Sequence, residues 1–126
     1  MQNVNYTEYS LETGEILSVG STSGTLPELP EGMGRIEQAV DMEMYYIDVN
    51  SGEIEARSAF PIGEFVGDIY HIPLPVGTEL LWQGELYVAD NNITEILVDQ
   101  PSAHLLILTH PHYLKREVYI ENPNAN

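Results

Sequence analysis

Two histidines near the C-terminal end, His110 and His112, come closest in type and spacing to a metal site. Side chains two residues apart in an extended segment point to the same side, and His104 or His71 could add a third ligand. A catalytic zinc needs three protein ligands and an open position, and this pair lacks the helical spacing of zinc motifs. We therefore interpret the segment as a polar turn, and we expect no metal and no cofactor.

The 20 aspartates and glutamates could in pairs serve a glycosidase or bind calcium. A glycosidase needs two carboxylates about 5–10 Å apart in a cleft, and among so many some pair reaches that distance by chance. The EF-hand loop pattern is missing, and Asp90-Asn91-Asn92 is typical of a hairpin turn. Nucleophile elbows, Walker loops and dinucleotide fingerprints are missing as well. The sequence therefore predicts a protein that is not an enzyme.

Tyrosines and the single tryptophan are the remaining candidates for a binding surface. They lie in or beside predicted strands, where alternation places some rings in the core and others outside. Buried rings would be ordinary cross-strand pairs, whereas an exposed group would mark a protein interface or a platform for sugar. We predict interface residues among Tyr45, Tyr46, Trp82, Tyr87 and Tyr113. Tyr45 and Tyr46 are adjacent in one strand and must point in opposite directions.

The charge balance excludes several classes of partner. Four lysines and arginines face 20 acidic residues, which gives a net charge of −16. Binding to phosphates of nucleic acid needs clustered cations, and a polybasic contact with a membrane surface needs them too. No apolar run is long enough to cross a bilayer as a helix. There is no cysteine, so disulfides and thiol chemistry are excluded. We expect neither nucleic acid nor a membrane as partner.

Ten glycines and eight prolines divide the chain into short apolar runs, which favour strands over helices. A first hairpin is predicted from Val4 to Val19, turning at Gly14. A second copy around Gly52 repeats the Gly-Glu-Ile triplet and carries one inserted residue before its glycine. Residues 21–34 are predicted as a loop and Arg35 to Val40 as a strand.

The second half has strand and turn signals at the regular spacing of a small β-sandwich. The predicted strands are Asp68–Ile72, Thr78–Trp82, Leu86–Ala89, Ile93–Val98, His104–Thr109 and Leu114–Ile120. The tail after Ile120 has no apolar anchor and should fray. We therefore predict an all-β protein, with a hairpin-based module over residues 1–60 and a small sandwich over residues 61–126.

The order of these motifs resembles that of small virion-associated proteins encoded among the tail genes of tailed bacteriophages. The motifs that carry the resemblance are Thr13-Gly14-Glu15-Ile16-Leu17, Phe60-Pro61, Leu74-Pro75-Val76-Gly77-Thr78, Trp82-Gln83-Gly84 and Asp90-Asn91. The resemblance implies an N-terminal hairpin module followed by an Ig-like or PEGA-like sandwich. The chain departs from the pattern at residues 101–104, where such sandwiches often carry Pro-Gly-x-Tyr.

The resemblance further implies a non-enzymatic structural or accessory component of a phage tail, near the tip, baseplate or fibre. Its partners would be other virion proteins, and it would be present in multiple copies in the particle. Two alternatives remain open. A small acidic phage protein could inhibit a host protein by mimicking DNA, because carboxylates can compete for basic sites. A carbohydrate-binding module would instead depend on Trp82 and the tyrosines.

Overall fold

The computed structural model describes residues 3–91 and 93–123. Within them the chain forms twelve strands and no helix, so the all-β prediction is confirmed. No helix in these residues is long and apolar enough to cross a membrane. The strands are β1 Val4–Ser10, β2 Ile16–Thr22, β3 Met33–Ile36, β4 Tyr45–Ile47, β5 Ile54–Ala56, β6 Glu64–Val66, β7 Ile69–Ile72, β8 Glu79–Trp82, β9 Glu85–Val88, β10 Thr94–Leu97, β11 His104–His110 and β12 Tyr113–Ile120.

The chain divides into two compact units between Ser58 and Ala59. The first unit contains β1 to β5 and the second contains β6 to β12. The boundary predicted after residue 60 lies two residues further along the chain. Phe60 packs in the core of the second unit, so the last residue assigned to the predicted N-terminal module belongs to the second unit.

The first unit pairs a three-stranded antiparallel sheet, in the order β2-β1-β3, with the hairpin β4-β5. Its core consists of Tyr9, Ile16, Val40 and Ile47. Thr7 is fully buried, and its hydroxyl donates to the carbonyl of Gln38 at 2.6 Å and accepts from the N–H of Val40 at 3.1 Å. These two bonds hold the segment after β3 against β1.

The two hairpins of the first unit have the same turn. The N–H of Gly14 donates to the carbonyl of Ser10, and the N–H of Gly52 donates to the carbonyl of Asp48. Both glycines have a positive φ, +82° and +75°, as the sequence predicts for these turns. The hydrogen bonds of the two turns correspond at a constant offset of 38 positions, from Gly14 to Gly52, so the inserted residue predicted in the second copy is wrong. The equivalent of Tyr9 is therefore Ile47, and both are buried.

The second unit contains a three-stranded sheet, in the order β10-β7-β6, and a four-stranded sheet, in the order β12-β11-β8-β9. Both sheets contribute to one core, because alternate residues of each strand point inward. The core contains Phe60, Tyr70, Ile72, Leu74, Leu80, Trp82, Ala89, Ile96, Val98, Leu106, Leu108 and Ile120. The chain crosses from the four-stranded sheet to the three-stranded sheet between β9 and β10.

The main differences between the predicted and the observed elements concern β3, β6 and β2. Strand β3 begins at Met33 and ends at Ile36, earlier than the predicted Arg35 to Val40, because the ring of Tyr9 covers Gly34 in this register. Strand β6 was not predicted. Strand β2 continues to Thr22, into the segment predicted as a loop.

The chain after β12 is anchored by a polar residue, which corrects the prediction of a frayed tail at this point. Asn122 is buried, and its amide Nδ2 donates to the Val98 carbonyl and to the Asp68 carboxylate, each at 2.8 Å. It therefore ties the end of β12 to the β6–β7 turn and to the end of β10. Residues 124–126 lie outside the described residues.

Candidate docking surface

Trp82, predicted as an interface residue, is a core residue that is 7% exposed. Trp82 and Leu80 are two residues apart on β8, so their side chains lie on the same face of the strand. Both point into the core of the second unit. The indole ring lies 5.7 Å from the ring of His104. Because its faces are covered, Trp82 cannot offer an open stacking platform. Trp82 is therefore a core residue that also lines the groove described below, and its place in an interface stays a prediction.

The other predicted aromatic residues of the second unit lie on different strands of one sheet. Tyr87 in β9 is 48% exposed, and its hydroxyl donates to the Glu85 carboxylate at 2.6 Å. This bond to an anion raises the pKa of Tyr87. Tyr113 begins β12 and stacks on Phe60, with ring centroids 4.9 Å apart. Since β9 and β12 are the opposite edges of the four-stranded sheet, the two tyrosines do not form one patch.

Tyr45 and Tyr46 belong to β4 in the first unit. Tyr45 is exposed and Tyr46 is half-buried, so the two rings point in opposite directions as predicted. The Tyr45 carbonyl accepts from the Arg57 guanidinium at 3.2 Å. Only Tyr45 of this pair presents an exposed ring.

The histidines considered as metal ligands are distributed over the second unit. His110 and His112 lie together, with ring centroids 5.4 Å apart, and Nδ1 of His110 accepts from the backbone N–H of His112. His104 begins the strand that His110 ends, about 20 Å away at the usual rise per residue. His71 lies in the other sheet, 3.6 Å from the Glu95 carboxylate. Among residues 3–91 and 93–123, no group of three potential ligands is close enough to hold a metal ion.

A groove of about 780 Å³ separates the edge strand β9 from the edge strand β10. Its lining includes the core side chains Leu80, Trp82 and Ile96. Tyr87 and Val88 from β9, and Ile93 and Leu97 around β10, also belong to its lining, and all four residues are exposed. The groove therefore connects the apolar core of the second unit with an apolar rim.

Strand β9 has one backbone edge without a strand neighbour in the described part of the chain, since it pairs with β8 alone. The N–H of Ala89 donates to the Thr78 carbonyl at 2.8 Å. This bond shows which residues of β9 direct their backbone groups toward β8. Bonded positions alternate in an antiparallel pair, so Glu85 and Tyr87 also bond toward β8. The N–H and C=O groups of Leu86 and Val88 consequently point away from the sheet.

The outer face of the four-stranded sheet continues this apolar surface. Leu86 pairs with Leu81 across the strands, and Leu81 pairs with Ile107 on β11. Leu86 is 61% exposed and Leu81 is 40% exposed. A second hollow on this face, of about 330 Å³, includes Leu81 and Leu105. A contiguous exposed apolar patch is a mark of interaction sites, and an unpaired strand edge is a template for pairing with another chain.

The charges around β9 are negative. Glu85 is the first residue of β9, and Asp90 follows its end by two positions. Asp90 and Glu95 line the groove, and its described lining contains no lysine or arginine. Lys115 and Arg116 of the second unit lie on β12, at the other edge of the same sheet.

Comparison of the chain with protein-family models, with curated proteins and with solved structures finds no match.

Sequence reasoning missed Leu86, Val88, Ile93 and Leu97. The sequence does contain a pattern that indicates Leu86 and Val88. Leu86-Tyr87-Val88 is an unbroken apolar run, whereas apolar and polar residues should alternate along a half-exposed strand. Ile93 and Leu97 become part of the same groove only because β9 and β10 belong to different sheets. No local pattern in the sequence contains that information.

Proposed function

We propose that this protein is a non-enzymatic docking module, a structural or accessory component of a bacteriophage tail that binds other virion proteins. One observation carries the docking role: a groove with an apolar rim lies between two edge strands, and one of them, β9, presents free backbone groups beside exposed apolar side chains. The virion context comes from the motif resemblance. Presence in multiple copies in the tail is part of the same proposal.

The finer fold prediction belongs to the proposal as well. An Ig-like sandwich for the second unit is supported by two sheets of three and four strands around one core, with a crossing between the sheets after β9. Of the two alternatives, a carbohydrate-binding module loses its main support because the Trp82 ring is buried. The DNA-mimic inhibitor remains as the competing outcome of the experiment.

Mass spectrometry of gradient-purified virions tests the proposal. We expect the chain in the particle fraction, at a fixed ratio to the tail proteins in independent preparations. Washing the particles in about 0.5 M salt should not remove it, since a joint built on apolar and main-chain contacts tolerates screening. The proposal is wrong if the chain occurs only in the soluble fraction of infected cells. A soluble complex with a basic host protein, released by salt, would favour the DNA mimic.

A further inference from the structure

We propose that β9 binds an extended segment of a partner protein by strand addition, and that this segment has apolar residues in its centre and lysine or arginine at its ends. The inference deepens the proposed docking function and rests on it for the identity of the partner as a virion protein.

The backbone of β9 supplies the directional part of the binding. The outward N–H and C=O groups of Leu86 and Val88 are spaced to pair with an incoming strand, the arrangement that β-augmentation uses. Strand β8 and the two-residue turn at Gln83-Gly84 hold β9 in place, and both turn residues have the positive φ of a type I′ hairpin. The binding edge is thus formed before a partner arrives.

The two faces of β9 determine which side chains the added strand carries. Leu86 is on the outer face, where its cross-strand partner is Leu81. Tyr87 is on the groove side, where the added strand would cover the side chains of Leu80 and Ile96. Alternate residues of an added strand point to opposite faces, so groove-facing residues must be apolar. Outward-facing residues meet the exposed apolar face of the four-stranded sheet.

Charge determines the ends of the segment and argues against a second copy as occupant. Glu85 and Asp90 flank the two ends of β9, and Glu95 lies across the groove. A partner with lysine or arginine at both ends of its apolar segment complements these carboxylates. A second copy would bring another net charge of −16 to a site already rich in carboxylates. We therefore assign a cationic partner protein.

The opposite edge of the same sheet is protected, which explains why β9 is the binding edge. Phe60 lies along β12: its ring stacks on Tyr113, and its carbonyl accepts from Arg116 at 3.2 Å. Lys115 on β12 is 61% exposed at its side chain, and an edge lysine discourages strand addition. In the residues that the structure describes, no strand pairs with the outer edge of β9, and β9 itself contains no lysine.

The direct test uses the full chain and a blocked synthetic peptide, Lys-Val-Thr-Val-Thr-Val-Lys. Nuclear magnetic resonance titration should give saturable shifts at the amides of Leu86 and Val88, and these amides should gain protection from hydrogen exchange. A peptide with glutamate at both ends should bind at least about tenfold more weakly, because the flanking carboxylates repel it. Failure of the lysine peptide to bind, or shifts centred on β12, would overturn the proposal.

Two variants locate the binding on β9. Leu86→Pro removes an N–H that points away from the sheet, a substitution that an edge strand tolerates. Val88→Lys places a cation on the edge and serves as a second variant if Leu86→Pro does not fold. Each should weaken peptide binding at least about tenfold. Val66→Lys is the matched control, because Val66 lies on the edge strand β6 and is 62% exposed, against 61% for Val88. Unchanged binding in both β9 variants, or equal loss in the control, contradicts the proposal.

Two further outcomes separate this inference from the proposed function. If the β9 variants still co-purify with virions at the wild-type ratio, docking by β9 is wrong and the tail assignment stands. If the wild-type chain is missing from virions but binds the peptide through β9, the tail assignment is wrong and strand addition stands. Concentration-dependent protection of Leu86 and Val88 without peptide would identify a second copy as the occupant and overturn the cationic partner.

Discussion

Glu8, in the central strand of the first sheet, receives hydrogen bonds from both neighbouring strands. Arg35 on β3 donates to Oε2 through Nη2 at 2.6 Å and through Nε at 3.1 Å, and Ser18 on β2 donates to Oε1 at 3.1 Å. The guanidinium also lies over the Tyr6 ring and donates to the Pro27 carbonyl. The hydrogen bond from Arg35 holds the pKa of the Glu8 carboxyl below its ordinary value, and the bond from Ser18 acts in the same direction.

This pairing makes the stability of the first unit depend on acid pH. A carboxyl whose pKa is lowered by folding stabilises the fold fully above its unfolded pKa, about 4.3 for glutamate. The contribution is lost as the pH falls through the lower folded value. We therefore expect Glu8→Gln to destabilise the chain at about pH 6 and to differ less from wild type at about pH 3. Denaturant titrations followed by circular dichroism at the two pH values measure the difference.

The control for this titration is Glu12→Gln, which changes an exposed glutamate in the first turn of the same unit. Its free energy of unfolding should follow that of wild type at both pH values. A constant difference between Glu8→Gln and wild type from neutral to acid pH would show that the ionised carboxylate contributes nothing through Arg35.

At the scale of the elements, the two matching turns offer a comparison within one unit. Gly14 and Gly52 have the same backbone conformation, but their surroundings differ. The Gly14 carbonyl accepts from the N–H of Ile47 at 2.9 Å, and a Cβ on Gly14 would overlap the Ile47 carbonyl oxygen. A Cβ on Gly52 would have no atom within 4 Å.

We therefore expect unequal costs for the same substitution. Gly52→Ala should lower the free energy of unfolding by about 1 kcal/mol, the cost of a positive φ alone. Gly14→Ala adds a clash with backbone that cannot rotate away, and should cost at least about 3 kcal/mol. Denaturant titration followed by circular dichroism measures both. The fluorescence of Trp82, the only tryptophan, reports on the second unit. Equal costs for the two variants would mean that the Gly14–Ile47 contact is absent in solution.

The elements that can be predicted from the sequence are those determined by a few adjacent residues. The turns at Gly14, Gly52 and Gly84 each depend on a few adjacent residues, and all three glycines have a positive φ. Strand β6 is only three residues long between Gly63 and Gly67, too short for a recognisable alternation.

Interactions between distant residues explain what the sequence did not predict. Asn122 reads as a tail residue, but it bonds to groups 24 and 54 positions away. From the sequence, Trp82 is a candidate binding residue. In the structure it shares the buried face of β8 with Leu80 and lies in the core. The groove needs two edge strands from different sheets, so its residues share no sequence pattern. The candidate site was therefore the least predictable part of the molecule.

For the whole molecule, the net charge of −16 opposes compactness, because only four lysines and arginines offset 20 carboxylates. The same field favours the approach of cationic segments to β9. The rate of association with a cationic partner and the stability of the free chain should consequently respond to salt in opposite ways. Screening slows the approach of the partner, although apolar and main-chain contacts still hold the bound segment, and it relieves the repulsion within the free chain.

Raising the sodium chloride concentration should therefore stabilise the free protein. Between about 0.01 M and about 0.15 M the Debye length falls from about 30 Å to about 8 Å, which removes most repulsion between distant carboxylates. Screening also weakens the Arg35–Glu8 pair, but its side chains are only 14% and 12% exposed, and partly buried pairs are screened less. The melting temperature, followed by circular dichroism, should rise over this range and then level off. Sucrose at matched osmolality is the control for general solvent effects. A melting temperature that stays constant or falls would mean that the carboxylates are already neutralised in pairs or by bound cations, and that the field assigned to β9 is weaker than its charges imply.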